Sequence, residues 1–294
     1  MAGAGAGSGD RLAIIAGGGL LPRHVAEAAR AGGESPFVIA LDRESDVDWN
    51  GFETVRLEVG DFAGITKTFV SRGIGRVVLS GGVRRRPDWR AIRPTIASLR
   101  KIPSVLRTLR AGGDDAVLKM VIGLIEASGA RVIGVQDILP NLLATAGPLG
   151  RHAPDDAARR DITVAAAAAT ALGRLDVGQG AVAVGGRVVA LEGPEGTDAM
   201  LARVAALKAD GRISARRRGV LVKLCKPQQE LRADLPSIGP ATVENAHAAG
   251  LAGIALEAGR TLVLERDRVV ATADRLGLFV TGLVREAERP EEWA

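Results

Sequence analysis

Residues 11–22 read RLAIIAGGGLLP, and this stretch decides how the N-terminal half of the chain folds. The apolar run Leu12–Ala16 has the length of a buried strand, and the three glycines after it predict a tight turn. Pro22 suits the first turn of a helix, where its missing N–H would have had no partner. A strand, a glycine turn and a helix in this order predict a parallel α/β unit.

Short apolar runs and amphipathic stretches alternate through the rest of the first half. Strands are predicted at Leu12–Ala16, Phe37–Leu41, Thr54–Leu57, Val77–Ser80 and Val132–Val135. Helices are predicted between them, at Pro22–Ala31, Ala63–Arg72, Ile92–Leu109 and Asp114–Ser128. This alternation is typical of a doubly wound α/β domain with a mainly parallel sheet. We place its boundary near Leu149, so that the first domain covers residues 10–149.

The second half, residues 150–294, predicts another α/β domain, but with a mixed sheet. A helix that starts at Pro154-Asp155-Asp156 connects the two halves, and Gly185-Gly186 is a hairpin turn signal between two apolar runs. The predicted strands are Ala181–Val184, Val188–Glu192, Val220–Lys223, Gly253–Leu256, Thr261–Leu264 and Phe279–Thr281. The predicted helices are Asp198–Lys208 and Ala241–Ala249.

Composition favours an anionic partner that is not nucleic acid. The net charge is +5, and arginines form two runs, Arg84–Arg86 and Arg216–Arg218, for which a solvated face is the simpler explanation. Aromatic residues make up only 3% of the chain, and tyrosine is absent. Single-stranded nucleic acid is bound through aromatic stacking platforms, and no nucleic-acid-binding motif accompanies the charge.

The chain carries no signal for export or for crossing a membrane. Its N-terminus, MAGAGAGSGD, lacks the basic start and apolar core of a signal peptide, and no run of 18 apolar residues occurs. Cys225 is the sole cysteine, so an internal disulfide and a cysteine-based metal cage are excluded. We therefore expect a cytoplasmic location.

Two glycine turns predict a ligand site in the first domain. Gly17-Gly18-Gly19 and Ser80-Gly81-Gly82-Val83 each follow a predicted strand, and ligands of open α/β sheets bind beyond the carboxyl ends of strands. Glycines let a backbone approach a nucleotide closely, and the helix that starts at Pro22 adds a positive dipole end. The alternative is that tight turns between strands and helices are rich in glycine in any case.

Residues 219–240, GVLVKLCKPQQELRADLPSIGP, place cations around an isolated aspartate at the end of a predicted strand. Lys223, Lys226 and Arg232 suit phosphate, as point charges and as a planar fork. Asp234 is the aspartate of this stretch, and it fits a metal ligand or a water-orienting group. A plain ion pair between Arg232 and Asp234 is an equal explanation.

A second polar cluster, Glu195-Gly196-Thr197-Asp198, stands where a helix is predicted to begin. Its oxygens suit Mg²⁺, which keeps several waters and needs only one or two carboxylates. Helix capping by Thr197 or Asp198 is the alternative for one of these residues.

Seven segments in order resemble the LpxI family of UDP-2,3-diacylglucosamine pyrophosphatases. They are IAGGGLLP (15–22), SGGV (80–83), GGDDAVL (112–118), LDVGQGAV (175–182), EGTDAML (195–201), GVLVKLCKPQQELRADLPSIGPATVE (219–244) and GIALEAGRTLVLER (253–266). Together they span nearly the whole chain, which makes the ordered set specific.

The resemblance implies Mg²⁺-dependent hydrolysis of UDP-2,3-diacylglucosamine to UMP and 2,3-diacylglucosamine 1-phosphate, a step of lipid A biosynthesis. It implies that water attacks the β-phosphorus. It also implies a Rossmann-like N-terminal domain, a C-terminal catalytic α/β domain, and substrate held between them. Peripheral contact with the cytoplasmic face of the inner membrane and homo-oligomerisation stay open.

The resemblance also assigns roles to residues of this chain. Asp234, Lys223 and Lys226 are implied as catalytic, and Asp234, Asp198 and Glu195 as metal ligands. Substrate contacts are implied at Gly18, Gly19, Leu20, Ser80, Gly81, Gly82, Val83, Gln179, Gly196, Thr197, Gln229 and Arg232. Two alternatives from other classes are a nucleotide-sugar transferase and a non-catalytic protein that binds a UDP ligand.

Overall fold

The first predicted strand lies at the centre of a parallel sheet. The structure is a computed structural model that describes residues 10–83 and 114–285. The strands of the first unit are β1 (Arg11–Ala16), β2 (Phe37–Leu41), β3 (Glu53–Leu57), β4 (Ile74–Ser80) and β5 (Arg131–Ile133). They lie in the order β3-β2-β1-β4-β5, and every pair is parallel. This confirms the predicted α/β class with a doubly wound, Rossmann-like strand order.

The described residues of this unit form the helices α1 (Leu21–Ala31), α2 (Phe62–Arg72) and α3 (Asp114–Ala127) and the single turn α4 (Val135–Ile138). Helix α2 shows why the sequence begins and ends a helix where it does. The Asp61 carboxylate accepts a hydrogen bond from the Gly64 amide at 2.9 Å, and Gly73 ends the helix in the left-handed region, at φ 65°. Apolar side chains such as Phe37, Phe69 and Ile122 form the core against the sheet.

The second unit contains a mixed sheet, as predicted. Its strands are β6 (Gly147–Pro148), β7 (Gly180–Val184), β8 (Arg187–Leu191), β9 (Val220–Lys223), β10 (Ser237–Ile238), β11 (Gly253–Glu257), β12 (Leu262–Val263) and β13 (Phe279–Leu283). Six of them form one sheet in the order β6-β13-β11-β9-β7-β8, in which β13, β11 and β9 are parallel and the remaining pairs antiparallel. Strands β10 and β12 form a separate parallel pair.

Up to residue 285, the second unit has four helices: α5 (Asp156–Arg174), α6 (Gly196–Ala209), α7 (Pro240–Ala248) and α8 (Arg266–Leu276). Two buried clusters of apolar side chains form its core. One contains Met200, Leu221 and Ile254, and the other contains the alanine face of α5 together with Val220 and Phe279. None of the helices in residues 10–83 and 114–285 is long and apolar enough to cross a membrane.

The two compact units divide between Pro140 and Asn141, and the short segment Glu230–Ala233 belongs to the first unit. A 3₁₀ turn, Pro140–Leu142, lies at this division. The domain ranges inferred from the sequence, 10–149 and 150–294, stay a prediction.

Two predicted elements need comment. The strand expected at Val132–Val135 is wrong at its end, because Val135 begins α4. The Asp137 carboxylate accepts a hydrogen bond from the Gly134 amide at 2.8 Å, and this contact turns the chain into a helix directly after β5. The helix expected at Ile92–Leu109 lies outside the described residues.

The β7–β8 hairpin is held by a buried carboxylate from α5. Asp161 accepts hydrogen bonds from the amides of Gly185 and Gly186, at 3.0 and 2.5 Å. Both glycines have positive φ, 62° and 80°, as a two-residue hairpin turn requires. Asp161 therefore links the turn to the helix behind the sheet.

We expect Asp161→Ala to lower the free energy of unfolding by about 2–4 kcal/mol, because two turn amides lose their acceptor. Asp156→Ala, an exposed substitution on the same helix, is the control and should cost less than about 1 kcal/mol. Urea unfolding followed by circular dichroism measures both values. Equal losses in the two variants would contradict this role of Asp161.

Candidate active site

The two glycine turns of the first unit contact each other through their backbones. Gly17 donates a hydrogen bond to the Ser80 carbonyl at 2.8 Å, and Gly18 and Gly82 exchange two bonds at 2.8 and 3.0 Å. The two turns therefore lie directly against each other, and their role in binding a ligand stays a prediction.

Close packing explains why glycine stands at these positions. A Cβ on Gly17 would lie 2.5 Å from the Gly82 carbonyl oxygen, and one on Gly81 would lie 2.6 Å from that of Gly18. Gly81 also has φ 87°, which side chains rarely adopt. The Gly19 amide donates to Asp46 Oδ1 at 2.8 Å. The amides of Gly17, Gly18, Gly19 and Gly82 thus have protein acceptors already.

Side chains next to these glycines remain available to a ligand. Leu20 and Val83 are 59% and 47% exposed, which is unusual for large apolar residues. The buried Ser80 hydroxyl has no hydrogen-bond partner within the described residues. Leu20 and Val83 are therefore open to a ligand by exposure, and Ser80 by a hydroxyl without a partner, whereas the amides of Gly17, Gly18, Gly19 and Gly82 are already bound.

In the second unit, the ammonium group of Lys223 is the centre of a polar cluster. Lys223 is the last residue of β9 and only 8% exposed. Its Nζ donates to Thr197 Oγ1 and to the Ser237 carbonyl, both at 3.0 Å. Thr197 in turn donates its hydroxyl to Glu192 Oε1 at 2.6 Å. We call Lys223, Thr197, Glu192, Asp198 and Asp234 the Lys223 cluster.

Burial and the nearby carboxylates have opposite effects on the pKa of Lys223. Burial lowers the pKa of Lys223, while the negative charges of Glu192, Asp198 and Asp234 act in the opposite direction. All three carboxylates are therefore close enough to stabilise the charged ammonium. Two of them, Asp198 and Asp234, are residues for which the resemblance implies a role.

Asp234 is held by the segment that precedes it. Gln229 Nε2 donates to Asp234 Oδ2 at 2.6 Å, and Gln229 Oε1 accepts from the Lys226 amide at 2.8 Å. The ion pair considered as an alternative between Arg232 and Asp234 does not form: Arg232 pairs with Glu230 and Glu126, at 2.8 and 2.7 Å. Glu230 above all, and Glu126 as well, raise the pKa of Arg232.

The residues at the start of α6 are not engaged in capping. Glu195 occupies the N-cap position without a side-chain cap hydrogen bond, and its carboxylate pairs with Arg203 at 2.9 Å. Asp198 accepts from Asn245 Nδ2 at 3.0 Å, while Thr197 belongs to the Lys223 cluster. Gly196 has φ 81°, which explains the glycine.

Two further predicted residues, Lys226 and Gln179, lie near the end of β9 and the start of β7. Lys226 Nζ donates to Asp176 Oδ1 at 2.8 Å. The Gln179 amide donates to Glu192 Oε2 at 3.3 Å, and its buried Oε1 has no partner within the described residues.

Sequence reasoning missed Glu192, Ser237, Asp176 and Asn245 as site neighbours. The sequence pattern makes Glu192 the end of an apolar strand, although a charged residue there calls for a buried partner. Ser237 contributes a backbone carbonyl, which no side-chain pattern reveals. Asp176 and Asn245 are far from their partners in sequence, so only the tertiary fold connects them.

We expect Gly81→Ala to destabilise the protein by at least about 2 kcal/mol, because the new side chain is strained at positive φ and overlaps the Gly18 carbonyl. The matched control is Gly82→Ala, whose Cβ would have no atom within 4 Å; we expect a change below about 0.5 kcal/mol. Chemical denaturation of both variants gives the comparison. A control as unstable as Gly81→Ala would refute the packing explanation.

We expect Cys225 to resist alkylation in the folded protein. Burial, chiefly, and the nearby Glu257 raise the pKa of its thiol to about 12, so little thiolate exists near neutrality. Iodoacetamide at about pH 8 should label it at least about 100-fold more slowly than in guanidinium-unfolded chain. Since Cys225 is the sole cysteine, mass spectrometry reads the site directly, and similar rates in both states would contradict the pKa.

Comparison with known proteins matches both units of the chain to one family. The sequence profile of the LpxI N-terminal domain matches residues 11–142, and that of the LpxI C-terminal domain matches residues 145–281. A UDP-2,3-diacylglucosamine pyrophosphatase LpxI of Caulobacter vibrioides is 43% identical over 281 residues, which cover 95% of this chain and 99% of the relative.

Solved structures show only weak likeness. A UDP-glucose 4-epimerase of Thermus thermophilus in complex with NAD shares 13% identity over 96% of this chain and 88% of its own, with a TM-score of 0.28. An isoflavone reductase shares 11% identity over 95% of this chain and 80% of its own, also at 0.28. Profiles that cover both units, and a relative of nearly equal length at 43% identity, lead to one conclusion: the chain belongs to the LpxI family.

Proposed function

We propose that this protein hydrolyses the pyrophosphate bond of UDP-2,3-diacylglucosamine. The observation that carries the proposal is the 43% identity, over 95% of the chain, to a relative that is named for this substrate. The Lys223 cluster supports it, because its buried ammonium can donate to a phosphate oxygen and its carboxylates can hold a cation that offsets the phosphate charge.

The reaction consumes one water. The water oxygen forms a bond to the β-phosphorus, and the bond between that phosphorus and the bridging oxygen breaks. UMP leaves with the bridging oxygen, and 2,3-diacylglucosamine 1-phosphate takes up the water oxygen. Attack at the β-phosphorus, rather than the α-phosphorus, is part of this proposal.

Within the second unit, we assign charge neutralisation to Lys223 and Lys226. The ammonium of Lys223 has three N–H donors, of which two meet Thr197 and Ser237. The third remains for a phosphate oxygen, as far as the described residues go. A buried donor of this kind stabilises charge that develops at the phosphorus more strongly than an exposed one.

We assign Asp234 to the activation of the attacking water, as a general base or as the ligand of a cation. Its second carboxylate oxygen, Oδ1, is not the atom that Gln229 contacts. It is thus suited to accept a proton from the attacking water or to hold a cation. The predicted role of Arg232 at the substrate is part of the proposal, although its guanidinium is already bound by two glutamates.

Mg²⁺ fits this region by the chemistry of its donors. Among residues 10–83 and 114–285, no group of three or more His, Cys, Asp or Glu side chains forms a ready-made metal site. Mg²⁺ needs only one or two carboxylates when phosphate oxygens and waters complete its shell. Asp198 and Asp234 would hold it, and when bound it would polarise the phosphoryl oxygens. Glu195, the third proposed ligand, would have to leave its ion pair with Arg203 to join them.

Contacts for the two ends of the substrate are proposed separately. For the UDP part we propose Gly18, Gly19, Leu20 and the turn Ser80–Val83. For the acyl chains we propose the exposed side chains of Val177 and Leu191.

Location and assembly are also proposals. A cytoplasmic protein that contacts the inner membrane peripherally would meet a diacylated substrate in its bilayer. A homo-oligomer is equally compatible with the exposed apolar residues. The two alternative functions, transfer to an acceptor and binding without turnover, differ from hydrolysis in one product: UMP released without an acceptor.

We expect purified protein to release UMP from UDP-2,3-diacylglucosamine with Mg²⁺ alone, and EDTA to stop the reaction.

Asp234→Ala should lower kcat by at least about 100-fold while substrate binding is retained, because the Asp234 carboxylate acts on the reaction and not on affinity. In ¹⁸O-water, attack at the β-phosphorus would place the label in the sugar phosphate.

Asp267→Asn, which removes an exposed carboxylate from α8 in the same unit, is the matched control and should retain wild-type kcat. Turnover in Asp234→Ala with unchanged metal dependence would overturn the role of Asp234. Tight binding of the substrate without UMP release by the wild type would overturn the proposed hydrolysis. Label found in UMP would overturn attack at the β-phosphorus alone.

A further inference from the structure

Glu192 is a buried carboxylate that lies outside the proposed catalytic and metal-binding residues. It follows β8 directly and is 6% exposed. Its backbone amide donates to the Gly180 carbonyl at 2.9 Å, which continues the hairpin pairing by one residue. Its side chain points to the start of α6 and to the residue before β7, where both carboxylate oxygens find donors.

The hydrogen bond from Thr197 to Glu192 fixes the direction of the Thr197 hydroxyl. A hydroxyl has one proton, and an ionised carboxylate can only accept. At 2.6 Å the Thr197 proton is therefore directed at Glu192 Oε1. The lone pairs of Thr197 Oγ1 then face the Lys223 ammonium, which donates to them at 3.0 Å.

The hydrogen bonds of Thr197 and Ser237 fix the orientation of the Lys223 ammonium group. Thr197 Oγ1 and the Ser237 carbonyl take two of its N–H donors, so the direction of the third is determined. The negative charge of Glu192 lies one hydroxyl away and favours the charged ammonium in a buried place. Without the carboxylate, the Thr197 hydroxyl would be free to rotate its proton toward Lys223.

Glu192 itself is not placed to touch a substrate. Its Oε1 is bound by Thr197, and its Oε2 accepts from the Gln179 amide at 3.3 Å. We propose that Glu192 is a positioning residue for pyrophosphate hydrolysis, which acts through Thr197 on the direction of the Lys223 ammonium. This proposal rests on the proposed function.

The first test is Glu192→Gln, which keeps the size of the side chain and removes its charge. We expect kcat to fall about 10- to 100-fold, with KM within about 3-fold, because a misdirected donor weakens the transition state more than the bound substrate. Glu244→Gln, an exposed change on α7, is the control and should keep wild-type kcat and KM. A wild-type kcat in Glu192→Gln would overturn the proposal.

The second test asks whether Glu192 acts through Thr197. Thr197→Val removes the hydroxyl at nearly constant shape, and a double-mutant cycle compares Glu192→Gln in both backgrounds. We expect Glu192→Gln to change kcat by less than about 3-fold once the hydroxyl is gone. Losses that multiply would mean that the two residues act independently, and the proposal would fail.

The third test moves the carboxylate without changing any charged residue. A Cβ on Gly180 would lie 2.7 Å from Glu192 Oε2, so Gly180→Ala forces the flexible carboxylate to shift. Gly123→Ala, whose Cβ meets no atom within 4 Å, is the matched control. We expect kcat to fall about 10-fold or more in Gly180→Ala alone.

This variant also decides the matter if Glu192→Gln does not fold. Wild-type kcat in folded Gly180→Ala would then overturn the proposal. Circular dichroism and the unfolding midpoint of each variant separate misfolding from loss of turnover. Because every value is a ratio to wild type, wild-type protein that releases no UMP contradicts the proposed function, whereas an active wild type with unaffected variants contradicts only the role of Glu192.

Discussion

The buried ammonium of Lys223 is the constraint on which the candidate site of the second unit depends. A buried charge is costly unless it is hydrogen-bonded and opposite charges lie near it, and Lys223 meets both conditions. Thr197 and Ser237 supply acceptors at 3.0 Å, and three carboxylates oppose the effect of burial on its pKa. Elements that are distant in sequence must therefore meet at the end of β9. The start of α6, the end of β8 and strand β10 all supply groups that solvate or balance the buried charge of Lys223.

The first unit obeys a different constraint, which is steric. Its two glycine turns approach so closely that a single methyl group on Gly17 or Gly81 would overlap a backbone oxygen. Their amides donate hydrogen bonds to the opposite turn or to Asp46, so these amides mainly stabilise the contact between the turns. What they offer a ligand is a shaped backbone with Leu20 and Val83 at its surface. The glycines are thus explained by packing before any ligand is considered.

Elements with a strong apolar pattern could be predicted from the sequence, and elements without one could not. The strands Phe37–Leu41 and Val220–Lys223 have the predicted bounds, because continuous apolar runs mark buried strands. Helix α8 was missed because only Val269 and Ala273 of its charged sequence are buried. The partner of Asp234 was missed for another reason. Arg232 is its neighbour in sequence, yet the fold gives Arg232 to Glu126 and Glu230 and gives Asp234 to Gln229.

The two groups proposed for chemistry are aligned by the same device, a side chain whose donor and acceptor ends are forced. Gln229 Oε1 accepts from the Lys226 amide, so its NH₂ group must face Asp234. Thr197 donates to Glu192, so its lone pairs must face Lys223. The Lys226 amide can only donate and the Glu192 carboxylate can only accept, so each fixes the orientation of the side chain that it contacts. A carboxylate and an ammonium with fixed directions need no rearrangement when charge develops between them, and this is the condition under which buried polar groups contribute most to a reaction.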